Sequence, residues 1–320
     1  MGETLQSLAA IPDLQASAGV PLAGYTRFGI GGPAGVLAET SRVESLLSAL
    51  RVVRESRQPF VVIGGGSNLI VADDGFPGVV LRFTAAALRA DGNRVTAQAG
   101  AELQALVDFT VERGLEGLQT LTRIPGWVGA AVYGNAGAYG RTISEAILTV
   151  TYTDGDSVHC LTNAECGFHY RESVFKRRKD WIILSTELAL NGADPAELRR
   201  AAAEIARIRD QKFPPTMQCA GSFFKNLLVA ELPAGVASQV PETVVRQGKV
   251  AAAWFLEQIG AKGMARGAIH VADYHANLIY NAGGGTARDL CALIGELKTR
   301  VRARFGFDLE EEVQYIGLTM

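Results

Sequence analysis

The stretch FVVIGGGSN, Phe60 to Asn68, decides how the first half of this chain is read. Its first four residues are apolar and read as a buried strand. Pro59, just before them, ends a helical pattern. Three consecutive glycines then let the backbone curl until successive N–H groups converge, which makes an anion nest. Ser67 and Asn68 can add side-chain donors. A dinucleotide fold of the Rossmann kind needs a helix next. Here LIVADDGF, Leu69 to Phe76, is β-branched and turn-like instead. The loop therefore reads as a phosphate cradle on another scaffold, and a tight β-turn holding no ligand is the plain alternative.

Working outward, GVLAET (Gly35–Thr40) reads as a strand. Ser41 with Glu44 three residues on reads as a capping box. Leu46, Leu47, Leu50 and Val53 give the helix an apolar stripe. Strands are expected at Val79–Phe83 and Arg94–Gly100, then a helix over Ala101–Arg113 closed by Gly114. ILTVTY and SVHCL flank a DG turn at Asp154-Gly155, and Trp181–Leu190 is a further strand. Asp194 caps a helix with Pro195 at its first position. Pro214-Pro215 marks a domain boundary. Beyond it come a helix near Ala251–Ile259, a strand at Ala276–Tyr280, a helix opened by Thr286 and Asp289, and a last strand at Glu312–Gly317.

The chain has 320 residues, enough for two or three domains. Formal net charge is −2 and the longest basic run is the KRRK of Lys176–Lys179, so nucleic-acid binding has no electrostatic footprint. Lys176 to Asp180 reads as a solvated turn. No apolar run approaches the ~18 residues of a membrane span. The first residues lack a basic segment followed by an apolar one, so no secretory signal is expected, and Met1-Gly2 opens no acylation motif. Cys160, Cys166, Cys219 and Cys291 have no CxxC spacing and fit reduced cytosolic thiols. The four histidines show no ligand spacing, so no metal is expected.

Three further stretches carry candidate chemistry. GIGGPA (Gly29–Ala34) matches GxGxxA, but YTRF is a poor buried strand and Pro33 leads into another strand rather than a helix. LTRIPGWVGAAVYGNAGAYGRTI (Leu121–Ile143) presents so little side chain that a flat ligand could lie against it, close strand packing being the alternative. With GGGSN it suggests one long ligand, such as a dinucleotide, gripped at both ends. In CGFHYRES, Arg171 is suited to hold a carboxylate in a fork, or is a surface arginine. In CAGSFFKN (Cys219–Asn226), Ser222 is either turn filler before two core phenylalanines or the reason for the stretch. In LEEEVQYIG, Glu310 and Glu311 read as solvated, while Glu312 starts a strand and can point into a cleft.

Taken in order, YTRFGIGGPA, VVIGGGSNLIVADDGFPG, GLEGLQTLTRIPGWVGAAVYGNAGAYG, CGFHYRESVFK, RDQKFPP, AGSFFKN, HANLIYN and FGFDLEEEVQYIG resemble the UDP-N-acetylenolpyruvoylglucosamine reductase (MurB) family, from about Tyr25 to Gly317. The resemblance implies an α+β fold. Its flavin half would be the two-subdomain FAD-binding fold of the vanillyl-alcohol-oxidase (PCMH) type, residues 1–84 and 85–210. A carboxy-terminal α+β substrate-binding domain would cover 211–306, and 307–320 would carry Glu312.

It further implies a bacterial, cytoplasmic, monomeric FAD enzyme of peptidoglycan synthesis that takes hydride from NADPH. The flavin N5 would deliver hydride to C3 of the enolpyruvyl group of UDP-N-acetylglucosamine enolpyruvate, and C2 would be protonated. Gly64, Gly65, Gly66, Ser67 and Asn68 would cradle the FAD diphosphate. Ile124, Pro125, Gly126, Gly129, Asn135 and Gly137 would line the flavin. Ser222 would donate the proton to C2. Arg171 would hold the substrate carboxylate, and Glu312 would sit with it around the developing enolate. Tyr170, Lys212 and Asn226 would contact the substrate.

The chain departs from the family pattern at Trp127, where a small hydroxyl residue is common, and at Ala130, Gly134 and Leu227. An FAD-dependent sugar or alcohol oxidase on the same flavin fold would explain the glycine loops but not Ser222, Arg171 and Glu312 together. A silent UDP-sugar-binding protein is the third reading.

Overall fold

The computed structural model describes residues 1–318. The described residues form two compact units, each built from several segments: residues 1–20, 33–66 and 76–214 in the first, and 21–32, 67–75 and 215–318 in the second.

The first unit holds two main sheets. Four strands run in the order Gln15–Ala18, Ala34–Thr40, Phe76–Phe83, Phe60–Val62. The last three are mutually parallel, and the first is antiparallel to its neighbour. The helix Val43–Glu55 joins two parallel strands and buries Leu46, Ala49, Leu50 and Val53. It starts differently from the sequence expectation. Ser41 forms no capping box: Arg42 is the N-cap residue, and the Arg42 amide donates to Thr40 Oγ1 at 3.0 Å. The strand Phe60–Val62 is half-buried rather than buried, and Ile63 behind it is 5% exposed.

The second sheet of this unit is antiparallel throughout, in the order Val158–Thr162, Ile147–Thr153, Ile182–Ala189, Arg94–Gln98, Leu88–Asp91. The helices Leu103–Glu112 and Pro195–Lys212 pack on each other. Asp194 Oδ1 accepts from the Ala196 amide at 2.9 Å, and Pro195 follows at the first position, as the sequence predicts. One apolar core runs through this unit, with Val36, Leu81, Leu106, Val150 and Leu188 fully buried.

The second unit is built on the antiparallel order Gln218–Ser222, His275–Asn281, Ile269–Ala272, Ala265–Arg266. The helix Ala287–Phe305 buries Leu290, Leu293, Ile294, Leu297 and Val301. Thr286 caps it by accepting from the Asp289 amide at 3.0 Å, again as expected. Residues 227–250, which carry no clear pattern in sequence, form short helical turns and a three-stranded sheet. The last strand is Gln314–Ile316 and runs parallel to Leu69–Val71. Glu312 therefore lies two residues ahead of the strand rather than in it. No described helix is long and apolar enough to cross a membrane.

Candidate functional site

In the first unit the strand Phe60–Val62 ends in the glycine loop, and Gly66 takes φ +67°, which suits glycine. A Cβ built on Gly65 would lie 3.0 Å from Trp127 Cδ1 and 3.4 Å from Gly126 Cα. The two glycine-rich stretches thus approach each other at Gly65 and Gly126. The Trp127 indole packs against Gly65 at this point, and the run of three glycines leaves main-chain N–H groups that can turn toward a diphosphate. Other small residues serve packing. A Cβ on Gly129 would lie 2.8 Å from Ala99 Cβ, and one on Gly137 would lie 2.5 Å from Arg141 O in the Gly137–Ala138/Arg141–Thr142 hairpin. Asn135 is buried at φ +44°; its Nδ2 donates to His169 O at 2.9 Å and its Oδ1 accepts from Ser144 N at 3.3 Å. Its side chain is a bracket under the next motif.

That motif is the tight turn His169–Glu172, whose end residues exchange main-chain hydrogen bonds at 3.1 Å. Arg171 sits at its tip with φ +57°, a conformation that costs a non-glycine residue about 1 kcal/mol. The strain is held by neighbours. Arg171 Nη2 donates to Gly137 O at 3.0 Å, and Lys176 Nζ donates to Arg171 O at 2.7 Å. Lys176 is thus no solvated turn residue; its side chain is 15% exposed, on the short helix Val174–Arg177. Ser173 Oγ is tied to Tyr133 O at 2.7 Å. Burial, then Glu172, pushes the Tyr133 phenol above its ordinary value.

In the second unit Ser222 ends the strand Gln218–Ser222, opposite Leu278. A register shift between Cys219 and Ser222, with Gly221 at φ +80°, re-aims the strand end. Among the described residues the Ser222 hydroxyl has no hydrogen-bond partner. Phe223 and Phe224 behind it are core, 1% and 0% exposed. The Glu312 amide donates to Phe223 O at 2.9 Å, so the glutamate's backbone is fixed one residue from the serine. Asn68 Nδ2 donates to Glu312 O at 2.8 Å, and the Gln314 amide donates to Asn68 O at 2.9 Å. Ser222, Glu312 and Asn68 are therefore brought together within one unit, while Arg171 belongs to the other.

Lys212 is the last residue of the helix Pro195–Lys212; the protein packed around its ammonium, then the Arg209 charge, lowers it below the ordinary lysine range although the residue as a whole is exposed. Asn226 Oδ1 accepts from Ala252 N at 3.4 Å. Cys219 is fully buried. Burial pushes the Cys166 thiol up to about 12, which keeps it inert. The described residues contain no group of three or more His, Cys, Asp or Glu able to hold a metal.

Two supporting residues escaped the sequence reading. Asn277 brackets Phe224, accepting from its amide at 2.8 Å and donating to its carbonyl at 2.9 Å, while its own carbonyl accepts from Phe223 N at 2.9 Å. The stretch HANLIYN had drawn attention to this strand but not to this side chain. Arg82 pairs with Glu39 and covers the Trp127 ring; a strand arginine gives no sign of either contact in sequence.

Residues 213–316 match the family described as UDP-N-acetylenolpyruvoylglucosamine reductase, C-terminal domain, and residues 33–160 match an FAD binding domain. A UDP-N-acetylenolpyruvoylglucosamine reductase of Solibacter usitatus is 61% identical over 97% of this chain and 99% of its own length. The Bacillus subtilis protein of the same name is 34% identical over 93% of this chain and 92% of its own. Among solved structures, UDP-N-acetylenolpyruvylglucosamine reductase from Thermus caldophilus superposes with a TM-score of 0.73 at 30% identity, covering 95% of this chain and 98% of that one. With a fold that joins an FAD-binding unit to the matched carboxy-terminal domain, the chain belongs to the UDP-N-acetylenolpyruvoylglucosamine reductase family.

Proposed function

We propose that the chain uses NADPH to reduce the enolpyruvyl group of UDP-N-acetylglucosamine enolpyruvate, giving UDP-N-acetylmuramate for peptidoglycan synthesis. The observation that carries the reading is the hydrogen-bonded set Phe223–Glu312–Asn68 beside Ser222. The pairing of Gln314–Ile316 with Leu69–Val71 and the bridge between Phe224 and Glu311 bring a serine, a glutamate and a glycine-loop asparagine from three distant stretches to one place, where one ligand could use them.

The backbone of Gly64–Gly66, with Ser67 and Asn68, would cradle the diphosphate of FAD, and Gly126 would belong to the flavin lining. Ile124 and Pro125 would line the flavin, and Gly129, Asn135 and Gly137 would hold that lining in shape. When bound, FAD supplies the hydride carrier between the nicotinamide donor and the substrate. The four-stranded sheet would be the first FAD-binding subdomain, within residues 1–84 but without 21–32 and 67–75, which belong to the second unit, and the five-stranded sheet the second, 85–210. Residues 211–306 would form the substrate domain, followed by the Glu312 segment.

Hydride addition at C3 places negative charge on C2 and its carboxylate. Arg171 would pair with that carboxylate more strongly as the charge grows, lowering the barrier rather than only binding substrate. Its strained backbone is anchored by Lys176 Nζ and its guanidinium by Gly137 O, which together keep the guanidinium from wandering. Ser222 Oγ would give its proton to C2 and take one back from solvent. The basic carbon makes a weak acid sufficient, provided the hydroxyl stands within ~2.6–3.2 Å. Glu312 would face the same enolate. Tyr170, Lys212 and Asn226 would contact the rest of the substrate. The chain would act as a monomer in the bacterial cytoplasm.

The test is turnover by the purified protein. NADPH should be oxidised one for one with added enolpyruvyl-UDP-N-acetylglucosamine, giving a product two hydrogens heavier. NADPH oxidation that ignores this substrate would favour the oxidase reading instead.

A further inference from the structure

The glycine loop of the first unit does not stand alone; a tryptophan lies against it. A Cβ on Gly65 would meet Trp127 Cδ1 at 3.0 Å and Nε1 at 3.2 Å, closer than side chains normally pack. Gly64, next to it, would meet the same ring only at 3.8 Å, an ordinary contact. The indole thus presses on Gly65 in particular. Gly65 has no left-handed φ to explain its being glycine. The close approach of the ring explains it.

The ring is itself held. The Arg82 guanidinium carbon stands 4.5 Å from its centroid, a cation–π distance. Arg82 is paired with Glu39, its direct neighbour across the parallel strands Ala34–Thr40 and Phe76–Phe83. Both side chains are mostly buried, 14% and 24% exposed. A chain of contacts therefore runs from a sheet, through Glu39, Arg82 and Trp127, to Gly65. Three successive glycines have more backbone freedom to lose than any other tripeptide, so an anion cradle made of them binds weakly unless something fixes it.

We propose that Trp127 is a positioning residue for the dinucleotide: its indole, braced by Arg82 and Glu39, fixes the Gly64–Gly66 backbone in the conformation that receives the FAD diphosphate. The inference rests on the reading that this loop holds that diphosphate. Such a residue acts before any chemistry, on FAD affinity and not on the turnover of enzyme already loaded.

The test is a double-substitution cycle read as FAD affinity of the apoprotein. Trp127→Ala should weaken FAD binding about tenfold or more, and Trp127→Phe, which keeps a plane, should restore it to within about threefold. Gly65→Ala should also weaken binding, yet Gly65→Ala with Trp127→Ala should be no worse than Trp127→Ala alone, because the clash has gone. A second readout uses a Trp181→Phe, Trp254→Phe background, where Trp127 is the only emitter. Adding inorganic pyrophosphate to this apoprotein should shift its emission. Circular dichroism melts establish that each variant is folded; if Trp127→Ala is not, the Trp127→Phe and Gly65→Ala affinities and the emission shift still decide. Wild-type FAD affinity in Trp127→Ala, independent effects that multiply in the double variant, or an unchanged emission would overturn the proposal. Wild-type apoprotein that binds no FAD would overturn the reading of the loop as well, and is distinguished by that result.

Discussion

The side-chain amide of Asn68 donates to the main-chain carbonyl of Glu312 at 2.8 Å, across 244 residues of sequence. A residue read as a cofactor contact is thereby tied to one read as catalytic. The bond engages one Asn68 N–H and holds the Glu312 backbone in place. Asn68→Ala should keep FAD content near wild type while slowing substrate reduction about tenfold or more, since small misplacements at a reacting centre are costly. Flavin absorbance of the purified variant and single-turnover rates separate the two effects; a colourless variant would return Asn68 to the cofactor.

Asn277 should be a stability residue with a catalytic consequence. Its two side-chain bonds to Phe224 are buried, so Asn277→Ala leaves a buried N–H and C=O without partners. The cost should be about 2–4 kcal/mol. Urea unfolding followed by circular dichroism checks it, and a midpoint unchanged from wild type would show that the bracket carries no load.

How much of this was legible in sequence depends on distance along the chain. Asp194-Pro195 and Thr286 with Asp289 announce their helices because caps are local chemistry. The parallel pairing of Leu69–Val71 with Gln314–Ile316 is not local, and nothing in LIV or QYI names its partner. For the same reason residues 21–32 and 67–75 gave no sign of belonging to the second unit. Lys176 sits in a charge run that looks solvated, yet one carbonyl, that of Arg171, claims its ammonium. Ser41 offered a capping box, but the helix starts one residue later, with Arg42 as N-cap, and the Arg42 amide donates to Thr40, the last residue of the preceding strand. Ser222, Arg171 and Glu312 were singled out by their motifs, whereas the brackets around them appear only in three dimensions.

Arg171 should act late. Arg171→Ala should leave FAD content and flavin reduction by NADPH intact and slow the reaction with enolpyruvyl-UDP-N-acetylglucosamine. Lys176→Met removes the ammonium that holds the Arg171 carbonyl and should give a weaker version of the same phenotype. Stopped-flow traces of the two half-reactions decide, and normal reoxidation in Arg171→Ala would remove it from the site.

The hairpin at Asp154 offers a pH test remote from catalysis. The amides of Ser157 and Asp156, with His159 beside them, hold the Asp154 carboxyl down to about 2. A carboxyl with a lowered folded-state value contributes stability above its unfolded value, and loses it as pH falls through the folded one. Asp154→Ala should therefore be less stable than wild type by about 1 kcal/mol at neutral pH, a figure kept small because the group is partly exposed. The gap should close between about pH 4 and about pH 2. Urea midpoints measured across that range check this, and a gap that widens on acidification would contradict it.

The most direct measurement reduces the enzyme anaerobically with NADPH, then mixes it with enolpyruvyl-UDP-N-acetylglucosamine while following flavin absorbance in wild type and Ser222→Ala. The account predicts bleaching at equal rates in both, prompt recovery in wild type, and recovery slowed by about a hundredfold or more in the variant, as expected for losing a positioned proton donor. Equal slowing of both steps, or normal recovery without the hydroxyl, would contradict it.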